Sequence, residues 1–180
     1  MEKGFFLTQY EIKGVTSGET RSVYRVAGLR RVNFSKGEKE GDVNWEVSFS
    51  GWGRHRKVTG QSSNTTRRAI LDGFGVYCGL CEPGDRLWVR ESFALEGNLV
   101  RYKASSREDK AKWKSPLYMS RRMSRMSLHV KSVRLGRMLE FGDPNVAKED
   151  FKDAWDDKNK LNRYDSNPWV WQIEFDVSYP

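Results

Sequence analysis

The chain has 180 residues and a formal net charge of +8, with 31% charged and 13% aromatic residues. That length suits one domain with a real core and is short for two, and no apolar run approaches the roughly 20 residues that span a bilayer. The excess of arginine and lysine favours an anionic partner, whether nucleic acid, a nucleotide or an acidic protein surface, and salt would weaken that attraction.

In chain order, Phe5, Phe6 and Leu7 make an apolar opening strand. Thr8 stands where a helix N-cap belongs, and Ile12 and Val15 recur at helical spacing until Gly18 stops the run. The opening MEKGFFLTQYEIKG lacks a signal peptide's long apolar core and small-residue cleavage site, so a cytoplasmic location is expected. Ser22 to Val26 reads as a second strand. Between Asn33 and Asn64 the chain is polar and Gly-rich, interrupted by VNWEVSFSGW, where Val43, Trp45, Val47 and Phe49 alternate with polar residues as in a half-buried hairpin strand. Its flanks carry opposite charge character, and GRHRKVTGQSSNTT reads as a basic, flexible loop.

Thr65 or Thr66 can cap a short helix through RRAILDGF. Cys78 and Cys81 follow as a C-x-x-C, a spacing that suits a redox pair or half of a zinc site. Zinc needs two further ligands, and the two histidines, His55 and His129, lack a spaced partner. The cysteines therefore read as small packing residues at a turn, and no metal or cofactor is expected. Pro83-Gly84-Asp85 turns the chain into the strand RLWVRESF, with LVRYK as its neighbour.

The segment Trp113 to Val130 concentrates Arg121, Arg122, Arg125 and His129, with Lys131 just beyond and no acid among them. It feeds a strand in which Leu128, Val130, Val133 and Leu135 roughly alternate with polar residues. A basic loop entering a strand suits phosphate, because the sheet fixes the backbone while guanidinium groups offer paired donors. Pro144 and Asn145 then lead into an acidic helix, solvated on one face, with Val146, Phe151 and Trp155 at helix-compatible positions. In the closing WVWQIEFDV, Val170, Ile173 and Phe175 do not alternate cleanly with Trp169 and Trp171, which predicts a bulge or burial on both faces. Many short strands with few helices predict a single mostly β domain of the α+β class, a small barrel.

Four stretches together resemble the ASCH superfamily, which has a PUA-like β-barrel fold, and in particular its small bacteriophage and prophage members. They are CEPGDRLWVRESF (Cys81 to Phe93), WKSPLYMSRRMSRMSLHV (Trp113 to Val130), AWDDKNK (Ala154 to Lys160) and NPWVWQIEF (Asn167 to Phe175). Toward the N-terminus, Phe6 to Arg25 looks like the family's opening strand and helix with its G-x-K-x-x-x-x-R motif. Gly18 and Arg25 fit that motif, and Thr20 stands where lysine is usual. An insertion at about 26–65 has no counterpart. The resemblance implies one PUA-like domain over 1–180, with a cleft beside the signature loop for RNA, a nucleotide or a modified nucleoside, in host cytoplasm if phage-encoded. Some relatives are ribonucleases, and others hydrolyse acylated cytidine with a lysine, a threonine and a glutamate. Those three positions fall here on Thr20, about Val23 and His129.

Losing groups that act together removes most of a rate, so the resemblance favours binding over amidohydrolysis. Thr20 and His129 are then the remaining catalytic candidates, His129 having acid or base chemistry to offer an RNA phosphate. For binding, Arg25, Arg121, Arg122, Arg125 and Lys131 are the expected phosphate contacts, and Tyr118 the exposed stacking group. Trp88, Trp169 and Trp171 are further stacking candidates, of which at least one is expected in the core. The base is expected between the loops Gly18 to Arg25 and Tyr118 to Arg125. A host protein bound through the insertion, with its Trp45, Trp52 and GRHRK run, is the alternative partner. A membrane partner is not expected.

Overall fold

The structure, a computed structural model, describes residues 2–26, 32–36, 42–51, 54–63, 78–107 and 110–179. Strand β1 (Glu2–Phe6) leads into helix α1 (Gln9–Ser17). Local chemistry fixes both ends of this helix. The Glu11 backbone N–H donates to Thr8 Oγ1 at 3.2 Å while the Thr8 N–H donates to Glu11 Oε2 at 2.8 Å, a reciprocal capping box. Gly18 ends the helix at φ 81°, a left-handed conformation that a residue with a Cβ adopts only at a cost. Ile12 and Val15 face inward, as their spacing predicts.

After β2 (Ser22–Arg25), strands β3 (Val32–Lys36), β4 (Asp42–Gly51) and β5 (Arg54–Ser63) form an antiparallel meander that is a sheet of its own. The basic stretch after Trp52, read from sequence as a flexible loop, is thus a ten-residue strand paired from Gly51↔Arg54 to Asp42↔Ser63. Its polar composition concealed it because ladder bonds are made by backbone, which any side chain supplies. The helix expected after Thr65 lies outside the described residues.

Strand β6 (Arg86–Arg90) is shorter than its sequence suggested. The chain leaves it at Glu91, and Phe93 opens a separate hairpin, β7 (Phe93–Glu96) with β8 (Leu99–Tyr102). Gly97, at φ 58°, takes the first position of the two-residue turn between them. Strands β9 (Ser127–Arg137) and β10 (Trp169–Ser178) flank helix α2 (Glu149–Lys158).

The main sheet has five strands in the order β1-β6-β9-β10-β2, with β1 parallel to β6 and the other pairs antiparallel. This is an α+β fold built mostly of strands. The described sheets are open, where a closed barrel was expected: β1 and β2 remain as edges. Strand β10 meets its expectation in both respects, with a register shift between Glu174 and Phe175 and burial on two faces. Trp169, Trp171, Ile173 and Phe175 enter the main core with Phe5, Ile12, Leu87 and Leu128, whereas Val170 joins a second cluster with Tyr24, Trp155 and Tyr164 under α2. Each such fully buried side chain contributes about 1.5–3 kcal/mol, so β10 holds the two layers together. Among the described residues no helix is long and apolar enough to cross a membrane.

Candidate binding site at the seam of the sheet

The two sheet edges are linked by a side chain rather than by a ladder. Arg25, the last residue of β2, donates from Nη2 to the Phe6 carbonyl of β1 at 2.8 Å and from Nη1 to the Tyr24 carbonyl at 2.7 Å. It also forms a two-pronged ion pair with Glu11 of α1, Nη1 to Oε1 at 2.5 Å and Nη2 to Oε2 at 3.2 Å, and its guanidinium lies 4.9 Å from the Phe5 ring centre. Both partners are largely shielded, with side chains 12% and 14% exposed. Charge, fork geometry and ring stacking together make this an arginine position, since a lysine ammonium has neither the plane nor the donor fork.

Along this seam lies a cavity of about 480 Å³. Lys3 to Phe6 form one side, Tyr24 and Arg25 another, Thr8 with Tyr10 and Glu11 of α1 a third, and Phe151, Ala154, Trp155 and Lys158 of α2 close it with the following Asn159. Its walls are aromatic and ordered by mutual contact. Phe151 stacks on Trp155 at 6.1 Å and 18° and meets Tyr24 edge-on at 6.0 Å and Tyr10 at 6.1 Å. The Trp155 Nε1–H donates to the Asn162 carbonyl at 2.7 Å, and the Tyr24 hydroxyl donates to Asp143 Oδ2 at 2.8 Å while accepting from Gln172 Nε2 at 3.0 Å. The polar ends are thereby held away from the apolar faces.

The charges in the cavity adjust one another. Burial pushes the Glu11 carboxyl up, but the Arg25 and Lys158 charges and the hydrogen bonds from Arg25 and Thr8 bring it below its ordinary value. Lys158 is an exposed residue, yet burial of its ammonium against the cavity walls, with Arg25 nearby, holds its pKa below that of an ordinary lysine, and Glu11 opposes this. Burial raises Tyr24, with Asp143 adding to the effect. The result is an aromatic-lined cavity that also holds a carboxylate–guanidinium pair and the Lys158 ammonium. Pockets of this size, apolar with a few convergent polar groups, are the usual form of a small-molecule site.

The other sequence-derived candidates are distributed elsewhere. Thr20 packs on α1, where a Cβ at Gly14 would run into its hydroxyl, and Val23 is core. His129 is exposed on the outer face of β9, with Nε2 3.0 Å from Ser178 Oγ, so the structure gives Thr20 and His129 different partners. Lys131 pairs with Asp176 at 3.2 Å. Tyr118 is 76% exposed. Arg125 turns inward: Nε and Nη2 meet the two Glu91 oxygens at 2.7 and 2.9 Å, Nη1 donates to Ser105 Oγ at 2.6 Å, and the guanidinium lies 4.4 Å from the Tyr102 ring centre. Each of its three nitrogens thus donates to protein. Trp169 and Trp171 are buried in the core, leaving Trp88 as the half-exposed member of that set. Arg121 and Arg122 line a groove of about 440 Å³ on the outer sheet face, with Arg86, Trp88 and three serines.

No residue of 118–125 lines the seam cavity, which sits instead against α2. Sequence reasoning missed Tyr10, Glu11, Tyr24 and Lys158. The available signal was the row Phe151, Trp155, Lys158 and Asn159, which lies on one face of an α-helix. Cys78 and Cys81 are buried in the core, as packing residues are. Their pairing is nonetheless close: a hydrogen bond from Cys81 brings the Cys78 thiol down to about 6, and the same pairing pushes Cys81 up. Among the described residues no group of three or more histidine, cysteine, aspartate or glutamate side chains is placed to hold a metal ion. No family model, curated protein or solved structure matches the chain.

Proposed function

We propose that this protein is an RNA reader of the PUA-like, ASCH type that takes an unstacked base, plain or modified, into the seam cavity. The observation that carries this reading is the slot itself, with aromatic faces from α2 and β2 set beside a shielded carboxylate–guanidinium pair. Single-stranded bases are recognised by stacking on aromatic rings while donors and acceptors engage the base edge. Glu11 offers the remaining lone pairs of its carboxylate, Arg25 holds that carboxylate in place, and Lys158 stands where a flanking phosphate would pass. The net charge of +8 draws a polyanion toward the mouth. A curled sheet whose edges are linked by Arg25 is compatible with a PUA-like barrel entered through its seam. Binding without turnover is favoured because Thr20, Val23 and His129 lie on a helix contact, in the core and on the outer sheet face.

The test is fluorescence anisotropy with labelled single-stranded RNA, single-stranded DNA and duplex DNA at low and high salt, with samples kept to detect cleavage. The expected result is salt-sensitive binding to RNA, which stays intact. Lys158→Glu, at an exposed position, should weaken that binding by about tenfold, as expected for reversing a charge beside a phosphate. Binding to none of the polymers, or RNA binding indifferent to Lys158→Glu, would overturn this reading. RNA fragments that accumulate with time and protein would establish a ribonuclease instead.

A further inference from the structure

The outer face of the sheet carries a second recess, in which Arg86 joins the Trp88, Arg121 and Arg122 singled out from the sequence. In the parallel β1–β6 pair, Glu2, Gly4 and Phe6 stand opposite Arg86, Trp88 and Arg90, and β9 adds Ser127 opposite Trp88. Arg121 and Arg122 reach the same place from the 3-10 turn Arg121–Met123, and together these form the groove of about 440 Å³ lined by Arg86, Trp88, Arg121, Arg122 and Ser127. An acid beside the groove is shared: Glu2 accepts from Arg121 at 2.7 Å and lies 3.8 Å from Arg86. One carboxylate between two guanidinium groups, with Arg122 beside them, leaves the groove positive.

Strand β1, which borders the seam cavity, pairs directly with β6, which carries Arg86 and Trp88 of the groove. Gly4 and Phe6 border the cavity, and on the groove side Arg90 joins the two by lying 5.4 Å from the Phe6 ring centre and 4.4 Å from that of Trp88. Gly4 makes this stack possible, because a Cβ there would fall on Arg90 Nε and within 2.8 Å of Trp88 Cζ2. Buried Arg90 Nε has no hydrogen-bond partner among the described residues.

We infer that this groove is the track for the RNA backbone next to the base held in the seam, so that the ligand is a single-stranded polymer rather than a lone nucleotide. The inference rests on the proposed reading of the cavity. The strand crosses the edge of β1 over Phe6 and Arg90, Trp88 receives a neighbouring base, and Arg86, Arg121 and Arg122 receive phosphates, with serine hydroxyls completing the hydrogen bonds. Stacking faces alternating with guanidinium groups are the general means of following single strands.

The test compares adenosine monophosphate with a labelled single-stranded RNA of roughly ten nucleotides, a length within the usual site sizes for such surfaces. Wild-type protein should bind the oligonucleotide at least about tenfold more tightly than the mononucleotide. Replacing Arg86 and Arg122 together by alanine should weaken oligonucleotide binding about tenfold and lower its salt slope by roughly one to one and a half, the share of two phosphate contacts on a single strand. The Arg86→Lys/Arg122→Lys protein should keep most of the slope, which separates a charge effect from a folding defect. An alanine pair with wild-type affinity and slope overturns the inference. Loss of oligonucleotide binding in Lys158→Glu alone would overturn the groove and keep the cavity. Loss in the alanine pair alone, with no mononucleotide bound by wild type, would keep the groove and remove the cavity reading.

Discussion

Arg125→Ala should destabilise the protein by about 3–5 kcal/mol, because it leaves a carboxylate buried without its counter-charge. The Glu91 side chain is 2% exposed, and both of its oxygens rest on the Arg125 guanidinium. The same change removes a hydrogen bond to Ser105 and the guanidinium over Tyr102, so the turn Lys103–Ser105 and strand β8 lose their tie to the segment before β9. For a chain of this size the loss corresponds to about 10 °C in Tm. Thermal and urea melts of Arg125→Ala, and of Arg125→Met combined with Glu91→Leu, check the cause. The apolar pair should recover most of the loss, since replacing both members of a buried pair is often neutral. A single variant within about 1 kcal/mol of wild type would show that the pair is not structural. RNA affinity per folded molecule should hardly change, since the donors of Arg125 face protein.

Arg25→Ala combines the second largest stability effect with the largest effect on binding. Four acceptors lose a donor at once, namely both Glu11 oxygens, of which Oε2 keeps the Thr8 N–H, and the Phe6 and Tyr24 carbonyls, and the expected cost is about 2–4 kcal/mol. Arg25→Lys should recover little of it, because one ammonium cannot span β1, β2 and α1 together. The cluster also sets an acid limit. Glu11 has a lower pKa in the folded chain than its ordinary 4.5, so its contribution is complete above that value and is lost as pH falls through the folded pKa. Urea midpoints measured from neutral to acid pH should fall less steeply below about 4.5 in Glu11→Gln than in wild type. An unchanged profile would mean that Arg25 does not hold Glu11 ionised.

What could be read from the sequence was what local chemistry decides. Helix α1 was legible because Thr8, Glu11 and Gly18 specify its ends within the helix itself, and β10 because its broken alternation signals both a bulge and two-sided burial. Strand β5 was not legible, since pairing with β4 outweighs a basic, Gly-containing composition. At the break between β6 and β7, Glu91 meets Arg125, more than thirty residues away, and no periodicity carries that contact. The arginines illustrate the same division. Their density marked a basic stretch, but which of them face solvent was set by tertiary partners. Arg125 went to Glu91, whereas Arg86 joined Arg121 and Arg122 only through the register of β1, β6 and β9. The cavity was missed because α2 was read by its charge, while its Phe151–Trp155 face acquires meaning only when docked on Tyr24.

Ala154→Phe places a ring into the seam cavity from a wall residue that carries none of its charge. Urea melts confirm that the variant is folded, and single-stranded RNA is then titrated against it and wild type at matched salt. If the slot holds a base, the plugged protein should bind at least about tenfold more weakly while keeping most of its salt slope, because the phosphate contacts remain and the stacking is lost. RNA binding of wild-type strength in the folded variant would mean that no base enters the seam.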